Sequence, residues 1–251
     1  MTEARKLTAT FENGQVLTRT TKTPSLSHAW YCENVKTVSA TRAKHMTSQF
    51  NVNATLFARV ANAASSEEAR FYLHGVSIEP APHGMPGVTL TATDGHQLVS
   101  AYDAQGSVNE PVIVKAPAHV LKACKAWRIG VEPSLIGTDG TIVVVDDKGN
   151  EQIARGTTID GTFPDWKRVI PQEIGAGTNA VFSQVVMATL AKALIQGKQT
   201  GMEARGLIVR GMDATSPHLV WGDDERMVGV AMPVRTPDMD ERATLPEWAR
   251  V

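Results

Sequence analysis

The residues of this chain whose types suit catalysis, among them seven His and 26 Asp and Glu, show no spacing that is typical of an active site. Cys32 and His28 come nearest to a nucleophile with its base, but no recognisable third partner accompanies them. His96 has no second His, Cys or carboxylate at metal-ligand spacing, which argues against a metal site. Asp94 is followed by Gly95, and this dipeptide is better explained as a turn than as a catalytic acid. These residues predict a protein without enzymatic activity.

The longer motifs of common enzyme classes are also missing from the sequence. It contains no Walker loop, no dinucleotide-binding glycine motif before a helix, no Gly-x-Ser-x-Gly and no carboxylate cluster. We therefore expect neither a cofactor nor a metal. A nucleic-acid-processing enzyme with its site in the first 50 residues stays as an alternative, because Cys32 and His28 lie there.

The composition is that of an ordinary globular protein. Of the 251 residues, 42% are apolar, which is enough for a buried core. The 25 Lys and Arg nearly balance the 26 Asp and Glu, so any contact with nucleic acid must come from a local patch. Two cysteines, a polar start and no apolar run near the ~20 residues of a membrane span predict a cytoplasmic protein without membrane contact.

Three amphipathic helices are predicted at nearly even spacing. They begin near Asn53, Pro117 and Ser183, which are 64 and 66 residues apart. Asn53 is a good N-cap, and Pro117 suits a first helical turn. The predicted buried faces are Leu56, Phe57, Val60, Ala61 and Ala64 in the first helix, Val120, Leu121, Cys124 and Trp127 in the second, and Val185, Val186, Leu190, Ala193 and Leu194 in the third. Such a period indicates a repeated supersecondary unit.

Strand patterns surround each helix in the same order. A short extended stretch precedes each helix, at 49–52, 112–115 and 180–182. Three strands then follow, at 70–80, 88–92 and 97–103, at 128–135, 141–146 and 152–160, and at 206–212, 218–222 and 227–234. The repeated unit is thus one strand, one helix and three strands, which predicts an α+β fold.

The two ends of the chain fit this unit less well. Residues 1–50 show strand patterns at 7–11, 15–21 and 28–33 and a helix pattern at 35–46, so they form either a separate small domain or a degenerate unit. Residues 175–179 have the composition of a short linker, and residues 236–251 that of an irregular tail.

Two segments carry a resemblance to a known family. They are Thr91-Ala92-Thr93-Asp94-Gly95-His96-Gln97-Leu98 and Asp160-Gly161-Thr162-Phe163-Pro164-Asp165-Trp166-Lys167-Arg168-Val169-Ile170-Pro171. In this order they resemble the bacterial DNA polymerase III beta sliding clamp, where the first is a hairpin of the middle domain and the second a connector into the last domain. Arg70-Phe71-Tyr72-Leu73-His74-Gly75 and Val230-Ala231-Met232-Pro233-Val234-Arg235 are similar to two further stretches of that family.

The resemblance implies a DNA-clamp fold, in which two units pack as one domain with antiparallel sheets outside and helices on their inner face. It divides the chain into a β-rich segment of unknown type at 1–50, two units similar to the clamp middle domain at 51–171, one unit similar to the last domain at 172–235, and a tail at 236–251. Because a bacterial clamp has three two-unit domains, this chain departs from the family in its first and last domains.

The resemblance also implies a hydrophobic pocket for short peptides of partner proteins. Carried over by position, its lining would be Arg70, Leu73, Thr93, Gly95, His96, Leu98, Pro164, Arg168, Val169, Val230 and Met232. The aliphatic residues and the adaptable methionine would form an apolar floor, and the two arginines would hold a peptide backbone or an acidic residue. Without the family, the aliphatic residues would be assigned to an ordinary core.

Five cations lie off the apolar faces of the predicted helices, namely Arg59, Lys122, Lys125, Lys192 and Lys198. In a ring lined by helices they would face double-stranded DNA and contact its phosphates without reading bases. Generic solvated charge explains them about equally well.

Together these implications predict a non-enzymatic, sliding-clamp-like processivity factor that tethers a DNA polymerase, or another protein with a clamp-binding motif, to DNA. The alternative is a clamp-derived adaptor or decoy that keeps the pocket but does not encircle DNA. Clamp rings of this family close with twelve units, so three units per chain would need four chains and four units would need three. A closed homo-oligomer is therefore expected, with a dimer as the next alternative.

Overall fold

A computed structural model describes residues 5–10, 16–21, 49–124, 132–138, 141–145, 151–175, 180–196 and 206–235. The chain divides into two compact bodies, Met1–His45 and Met46–Val251. The described part of the N-terminal body is an antiparallel hairpin of β1 (Arg5–Thr10) and β2 (Val16–Thr21), in which Arg5 lies opposite Thr21. The strand and helix expected at 28–33 and 35–46, like the tail at 236–251, lie outside the described residues.

The described part of the second body, Met46–Val251, contains two antiparallel sheets. The smaller sheet has the strand order β11 (Glu151–Arg155), β10 (Thr141–Val145), β9 (Ser134–Thr138), β3 (Phe50–Asn53) and β7 (Ser107–Val108). The larger has the order β12 (Thr157–Ile159), β8 (Val112–Lys115), β4 (Val76–Pro80), β5 (Val88–Thr93), β6 (Gln97–Asp103), β15 (Met227–Ala231), β14 (His218–Trp221) and β13 (Ile208–Arg210). Within these two sheets, every described pairing between neighbouring strands is antiparallel.

Three α-helices begin where the hydrophobic periodicity predicts them, as α1 (Ala54–Val60), α2 (Ala118–Cys124) and α3 (Gln184–Leu194). Asn53 is the N-cap of α1, because its side-chain oxygen accepts a hydrogen bond from the Leu56 N–H at 2.9 Å. Residues of all three helices share one buried core with residues from both sheets. The predicted α+β fold of antiparallel sheets with helices packed against them is therefore confirmed.

The first two repeat units exchange strands. The first strand of unit one, β3, pairs with β9 of unit two, while the first strand of unit two, β8, pairs with β4 of unit one. Neither unit can complete its sheet alone, which gives a physical reason to treat residues 51–171 as one two-unit domain. The third unit joins through β15, which pairs with β6. This division of the chain stays a proposal.

Several expected strands have different bounds in the structure. Residues Glu68–Leu73 form two short 3₁₀ turns with a kink at Arg70 instead of the start of a strand, because Arg70 and His74 donate their backbone N–H groups locally, to Glu67 and Phe71. The strand expected at 152–160 is divided between β11 and β12 at Gly156. The stretch at 180–182 is not a strand, and the last strand ends at Ala231 instead of residue 234. Further 3₁₀ helices lie at Ala61–Ala63, Pro82–Gly84 and Trp166–Val169.

One residue of the predicted helix faces is misplaced. Val185 is 73% exposed, whereas Val186, Leu190, Ala193 and Leu194 are buried at helical spacing. Val185 precedes this stripe by one position, which turns its side chain by about 100° from the buried face. Trp127, expected on the buried face of α2, lies outside the described residues. No helix in the described ranges is long and apolar enough to cross a membrane.

Candidate peptide-binding pocket

The floor of the candidate pocket is a row of aliphatic side chains on the larger sheet. Val230 on β15 lies opposite Leu98 on β6, and both line the pocket. Leu219 on β14 lies opposite Val230 on its other side and continues the row outside the pocket. These three residues form a buried cluster separate from the main core, to which their strand neighbours Val99 and Val220 belong. Because successive strand residues point to opposite faces, the row leaves the sheet on the face away from the helices.

The connector that follows β12 covers part of this row. Trp166, in the 3₁₀ helix Trp166–Val169, is only 7% exposed and packs in the same cluster as Leu98 and Val230. Phe163 and Ile170, on either side of it in the connector, pack there as well. The apolar residues of the connector therefore bring the segment at 160–171 onto the strand that follows the hairpin at 94–97.

The hairpin between β5 and β6 is fixed by the side chain of Asp94. Its Oδ1 accepts hydrogen bonds from the backbone N–H groups of His96 and Gln97 at 2.8 and 2.9 Å, and its Oδ2 accepts one from Gln97 Nε2 at 2.9 Å. The Met232 N–H donates to the His96 carbonyl at 2.9 Å, which ties the hairpin to the residue after β15. The interpretation of Asp94 as a turn residue is confirmed.

Gly95 allows Arg70 to approach this hairpin closely. Its φ of 92° lies in the left-handed region that favours glycine. A Cβ at this position would lie 2.6 Å from Arg70 Nη1. The Arg70 guanidinium therefore rests against the turn, with Nη1 3.5 Å from the Asp94 carbonyl oxygen.

These elements surround a pocket of about 400 Å³ that is open to solvent. Ten of the eleven residues named from the resemblance line it: Arg70, Leu73, Thr93, Gly95, His96, Leu98, Pro164, Val169, Val230 and Met232. The lining also includes Tyr72, Gln97 and Trp166, which the sequence interpretation missed. Each of the three lies inside a motif that was already quoted, so taking whole motifs in place of selected positions would have found them.

The expectation for Arg168 is wrong in position. Arg168 is not among the residues that line the pocket, and its side chain is 83% exposed. Its Nε forms an ion pair at 2.7 Å with Asp165 Oδ2, three residues earlier in the same 3₁₀ turn. Among the described arginines, Arg70 is the one at the pocket.

The expectation for Arg59 is also corrected, because this residue is buried instead of solvent-facing. It is 6% exposed, and its guanidinium forms an ion pair with Asp224. Nε and Nη2 donate to the carbonyl oxygens of Ala193 and Leu194 at 2.8 and 3.1 Å, at the end of α3. Arg59 therefore joins α1 to the third unit. Lys122 and Lys192 are exposed, while Lys125 and Lys198 lie outside the described residues.

A second arginine extends this charged contact. Arg226 donates to Glu132 Oε2 and Oε1 through Nη1 and Nη2, both at 2.8 Å, and its Nε donates to Asp224 at 3.0 Å. The Arg226 hydrogen bonds hold the pKa of Glu132 below its usual value. Burial acts to raise the pKa of Asp224, but hydrogen bonds from Arg226 and Arg59 together lower it below its usual value.

No group of three or more His, Cys, Asp or Glu side chains in the described ranges is arranged to hold a metal ion. His28 and Cys32, the residues behind the enzyme alternative, lie outside those ranges. His96 is an exposed turn residue that lines the pocket, and its imidazole provides a hydrogen-bonding group at the rim.

Comparisons with known proteins find similarity to beta sliding clamps. The beta sliding clamp of Synechococcus elongatus is 26% identical over 145 residues, covering 55% of this chain and 36% of the relative. That of Caulobacter vibrioides is 27% identical over 169 residues, covering 61% of this chain and 43% of the relative. The chain is therefore similar to the beta sliding clamps, at low identity and over part of its length. The matches span less than half the length of these clamps, and no family model matches the chain.

Solved clamp structures show the same fold. The sliding clamp of Bartonella birtlesii bound to griselimycin superposes with a TM-score of 0.58 at 19% identity, over 76% of this chain and 67% of that clamp. The Bacillus subtilis clamp gives 0.52 at 16% identity, over 91% and 74%. The Helicobacter pylori beta clamp bound to a DNA ligase peptide gives 0.51 at 11% identity, over 94% and 75%. The DNA-clamp fold that the sequence predicted is thereby confirmed.

Proposed function

We propose that this chain is a sliding-clamp-like processivity factor that binds short peptides of partner proteins in the pocket and tethers those partners to DNA. The main support is geometric. Ten residues from four separate stretches of the sequence, chosen by family position alone, line one pocket. If the two loop motifs resembled the family only by chance, the stretches near Arg70 and Met232 would not be expected to line the same pocket as those motifs.

The chemistry of the pocket suits a peptide with apolar anchors. Leu98 and Val230 line the floor but are only 3% and 1% exposed. The half-buried Met232 offers a larger apolar surface and can adapt to different side chains. Trp166 adds a flat apolar wall. Such a concave apolar site with a few polar groups at its rim is typical of short-motif recognition.

Arg70 gives the rim a cation that is available for a ligand. Its ion pair with Glu67 is long, at 3.5 Å, and both side chains are about half exposed, at 44% and 56%. An exposed pair of this kind contributes little, so exchanging Glu67 for a carboxylate or carbonyl group of a peptide costs little. We propose that Arg70 alone takes the role that the resemblance implied for Arg70 and Arg168.

Tethering to DNA would depend on exposed cations of the helices. Lys122 on α2 and Lys192 on α3 are exposed and away from the buried faces. Because such contacts are to phosphates, they would be independent of base sequence and sensitive to salt. They would also be weak, because the chain carries a net charge of −1. The proposed role requires no catalytic group.

One observation favours the second candidate, an adaptor or decoy that does not encircle DNA. Arg59, one of five cations expected to face DNA, is instead sequestered against Asp224 and the end of α3. This leaves fewer helix cations for phosphate contacts while the pocket is unaffected. The two candidates share peptide binding and differ in DNA retention and assembly.

Peptide binding is tested first, because both candidates require it. A fluorescein-labelled form of the DNA ligase peptide seen on the Helicobacter pylori clamp is titrated with the full chain and followed by fluorescence polarisation. We expect saturable binding that unlabelled peptide reverses and that griselimycin, bound by the Bartonella birtlesii clamp, competes for. No binding at high micromolar protein, from this peptide or from griselimycin, would show the pocket proposal to be wrong.

The ring is tested by the mass of the assembly. Light scattering coupled to size exclusion, at high micromolar concentration, is expected to give a closed oligomer of three or four chains, with a dimer as the next alternative. A strictly monomeric protein that still binds the peptide would exclude the ring and select the adaptor.

A further inference from the structure

Glu79 lies outside the pocket lining and holds one of its walls. It belongs to β4, and its Oε1 accepts a hydrogen bond from the indole Nε1–H of Trp166. Its Oε2 lies 3.4 Å from Lys167 Nζ, and that ammonium lies 5.4 Å from the centre of the Trp166 ring. We call these three side chains the Glu79 clip. The indole is thus held at its edge by a carboxylate and over its face by a cation.

The local structure around Trp166 is too weak to fix the ring by itself. Its 3₁₀ helix has four residues, and its N-cap residue Asp165 makes no side-chain capping bond. The hydrogen bond from the Arg168 N–H to the Asp165 carbonyl is long, at 3.4 Å. Short 3₁₀ turns have poor hydrogen-bond geometry, so the orientation of Trp166 must come from its contacts with the sheet.

Two kinds of contact with the sheet are available to Trp166. The apolar contacts with Leu98 and Val230 favour burial of the ring but are not directional. The bond to Glu79 is directional, and a buried indole N–H without an acceptor is unfavourable. Burial of the ring against the pocket floor therefore depends on the bond to Glu79 for an acceptor of its N–H.

We propose that Glu79 is a positioning residue for the pocket, which sets the orientation of Trp166 and through it the affinity for peptide. The effect on affinity rests on the proposed function, whereas the effect on Trp166 is a property of the free protein. The ion pair between Glu79 and Lys167 is a lesser contributor, because the Lys167 side chain is 46% exposed.

The first experiment examines the free protein. The chain has five tryptophans, and the indole N–H signal of Trp166 in a ¹H–¹⁵N spectrum is assigned from the one that Trp166→Phe removes. We expect Glu79→Leu to shift this signal and to increase acrylamide quenching of Trp166, and Glu79→Gln, which keeps an acceptor oxygen, to restore both. Glu110→Leu, at an exposed glutamate in the loop before β8, is the control. An indole signal that ignores Glu79→Leu would overturn the proposal.

The second experiment is a double-mutant cycle on the affinity for the labelled peptide. Glu79→Leu is expected to weaken binding about tenfold and Glu79→Gln by no more than about twofold, the scale of one buried hydrogen bond. In the Trp166→Phe background, which has no indole N–H, Glu79→Leu should cause no further loss. An equal loss in both backgrounds would show that Glu79 acts by another route, and the positioning role would be wrong.

The two experiments separate the two proposals. If the indole signal responds as expected but the unsubstituted chain does not bind the peptide, the proposed function fails while Glu79 still positions Trp166. If the peptide binds and the indole signal does not respond, the proposed function stands and the Glu79 clip is rejected.

Discussion

Leu98 and Val230 lie directly opposite each other on β6 and β15, and their side chains leave the larger sheet on the face away from the helices. This is one of five residue pairs between β6 and β15, the strands through which the first repeat unit joins the third. Cross-strand neighbours on one face contact each other directly, so the pocket floor exists only while the third unit is paired with the first. The pocket and the junction between units are one structure.

Truncation of the pocket floor is the most direct test of the site. We expect Leu98→Ala with Met232→Ala to weaken peptide binding by about 2–4 kcal/mol, the range of buried interface anchors. The protein should stay folded at a cost of about 2–3 kcal/mol, because Leu98 belongs to the small outer cluster and not to the main core. Fluorescence polarisation and thermal unfolding measure the two effects.

Met85→Ala is the matched control for the methionine, since Met85 is 47% exposed in the loop between β4 and β5 and does not line the pocket. Unchanged affinity in a folded Leu98→Ala, Met232→Ala double variant would exclude this pocket as the peptide site.

Charge reversal on the helices tests DNA binding. Lys122→Glu with Lys192→Glu is expected to abolish binding to duplex DNA at moderate salt, because the proposed contacts are to phosphates. Each phosphate contact makes the slope of log affinity against log salt concentration steeper by about 0.9. A variant that loses phosphate contacts should therefore show a shallower slope than the unsubstituted protein. Filter binding across a salt series with two unrelated duplex sequences makes the measurement.

Lys115→Glu is the control for this reversal. Lys115 is exposed on β8, and it follows Val114, which belongs to the buried core, so its side chain leaves the opposite face of the sheet. Equal loss of binding in this variant would indicate a general charge effect, and preference for one duplex sequence would contradict phosphate-only contact.

The buried ion pair of Arg59 predicts a large effect on stability. We expect Arg59→Met to lower the free energy of unfolding by about 3 kcal/mol, because it leaves Asp224 less paired and two carbonyls at the end of α3 without their donor. Lys122→Met, which removes an exposed cation from a helix, should change the free energy by less than about 0.5 kcal/mol. Urea unfolding compares the two variants, and equal values would refute a structural role for Arg59.

The contrast between Arg59 and Leu98 shows how far the sequence could lead. Helical periodicity found the start and the buried stripe of α1, but it cannot distinguish a solvated arginine from one paired with a residue 165 positions away. Leu98 and Val99 are adjacent apolar residues in a strand covered on both faces, so alternation could not say which one faces the helices. Family motifs identified Leu98 as a pocket residue where periodicity could not.

Local hydrogen bonding explains the remaining differences between the strands expected from the sequence and those in the structure. Residues 70–73 have strand-like composition but satisfy backbone groups within their own 3₁₀ turn, and a strand assignment from composition misses this. At 180–182 the composition is again strand-like, yet Val181 uses its carbonyl for the N–H of Val234. A strand requires a partner of matching register, which a single segment of sequence does not encode.

Acidification should weaken the contact that joins Glu132, Asp224 and Arg226. Both carboxyl groups have pKa values below their usual ones of 4.5 and 3.8 in the folded protein. A depressed carboxyl pKa contributes stability above the unfolded pKa, and this contribution is lost as the pH falls through the folded value. The free energy of unfolding should therefore be level near neutral pH and fall below about pH 4.5.

Arg226→Met should lower the free energy of unfolding at pH 7 by about 1 kcal/mol, a value reduced because the Arg226 and Glu132 side chains are 37% and 41% exposed. It should also flatten the loss of stability between about pH 4.5 and pH 3, since these carboxyl groups would regain more ordinary pKa values. Arg210→Met, at an exposed arginine on β13, should keep the full pH dependence. Urea unfolding at pH 7, 5, 4 and 3 decides the matter, and equally steep profiles for all three proteins would show that other carboxylates control acid unfolding.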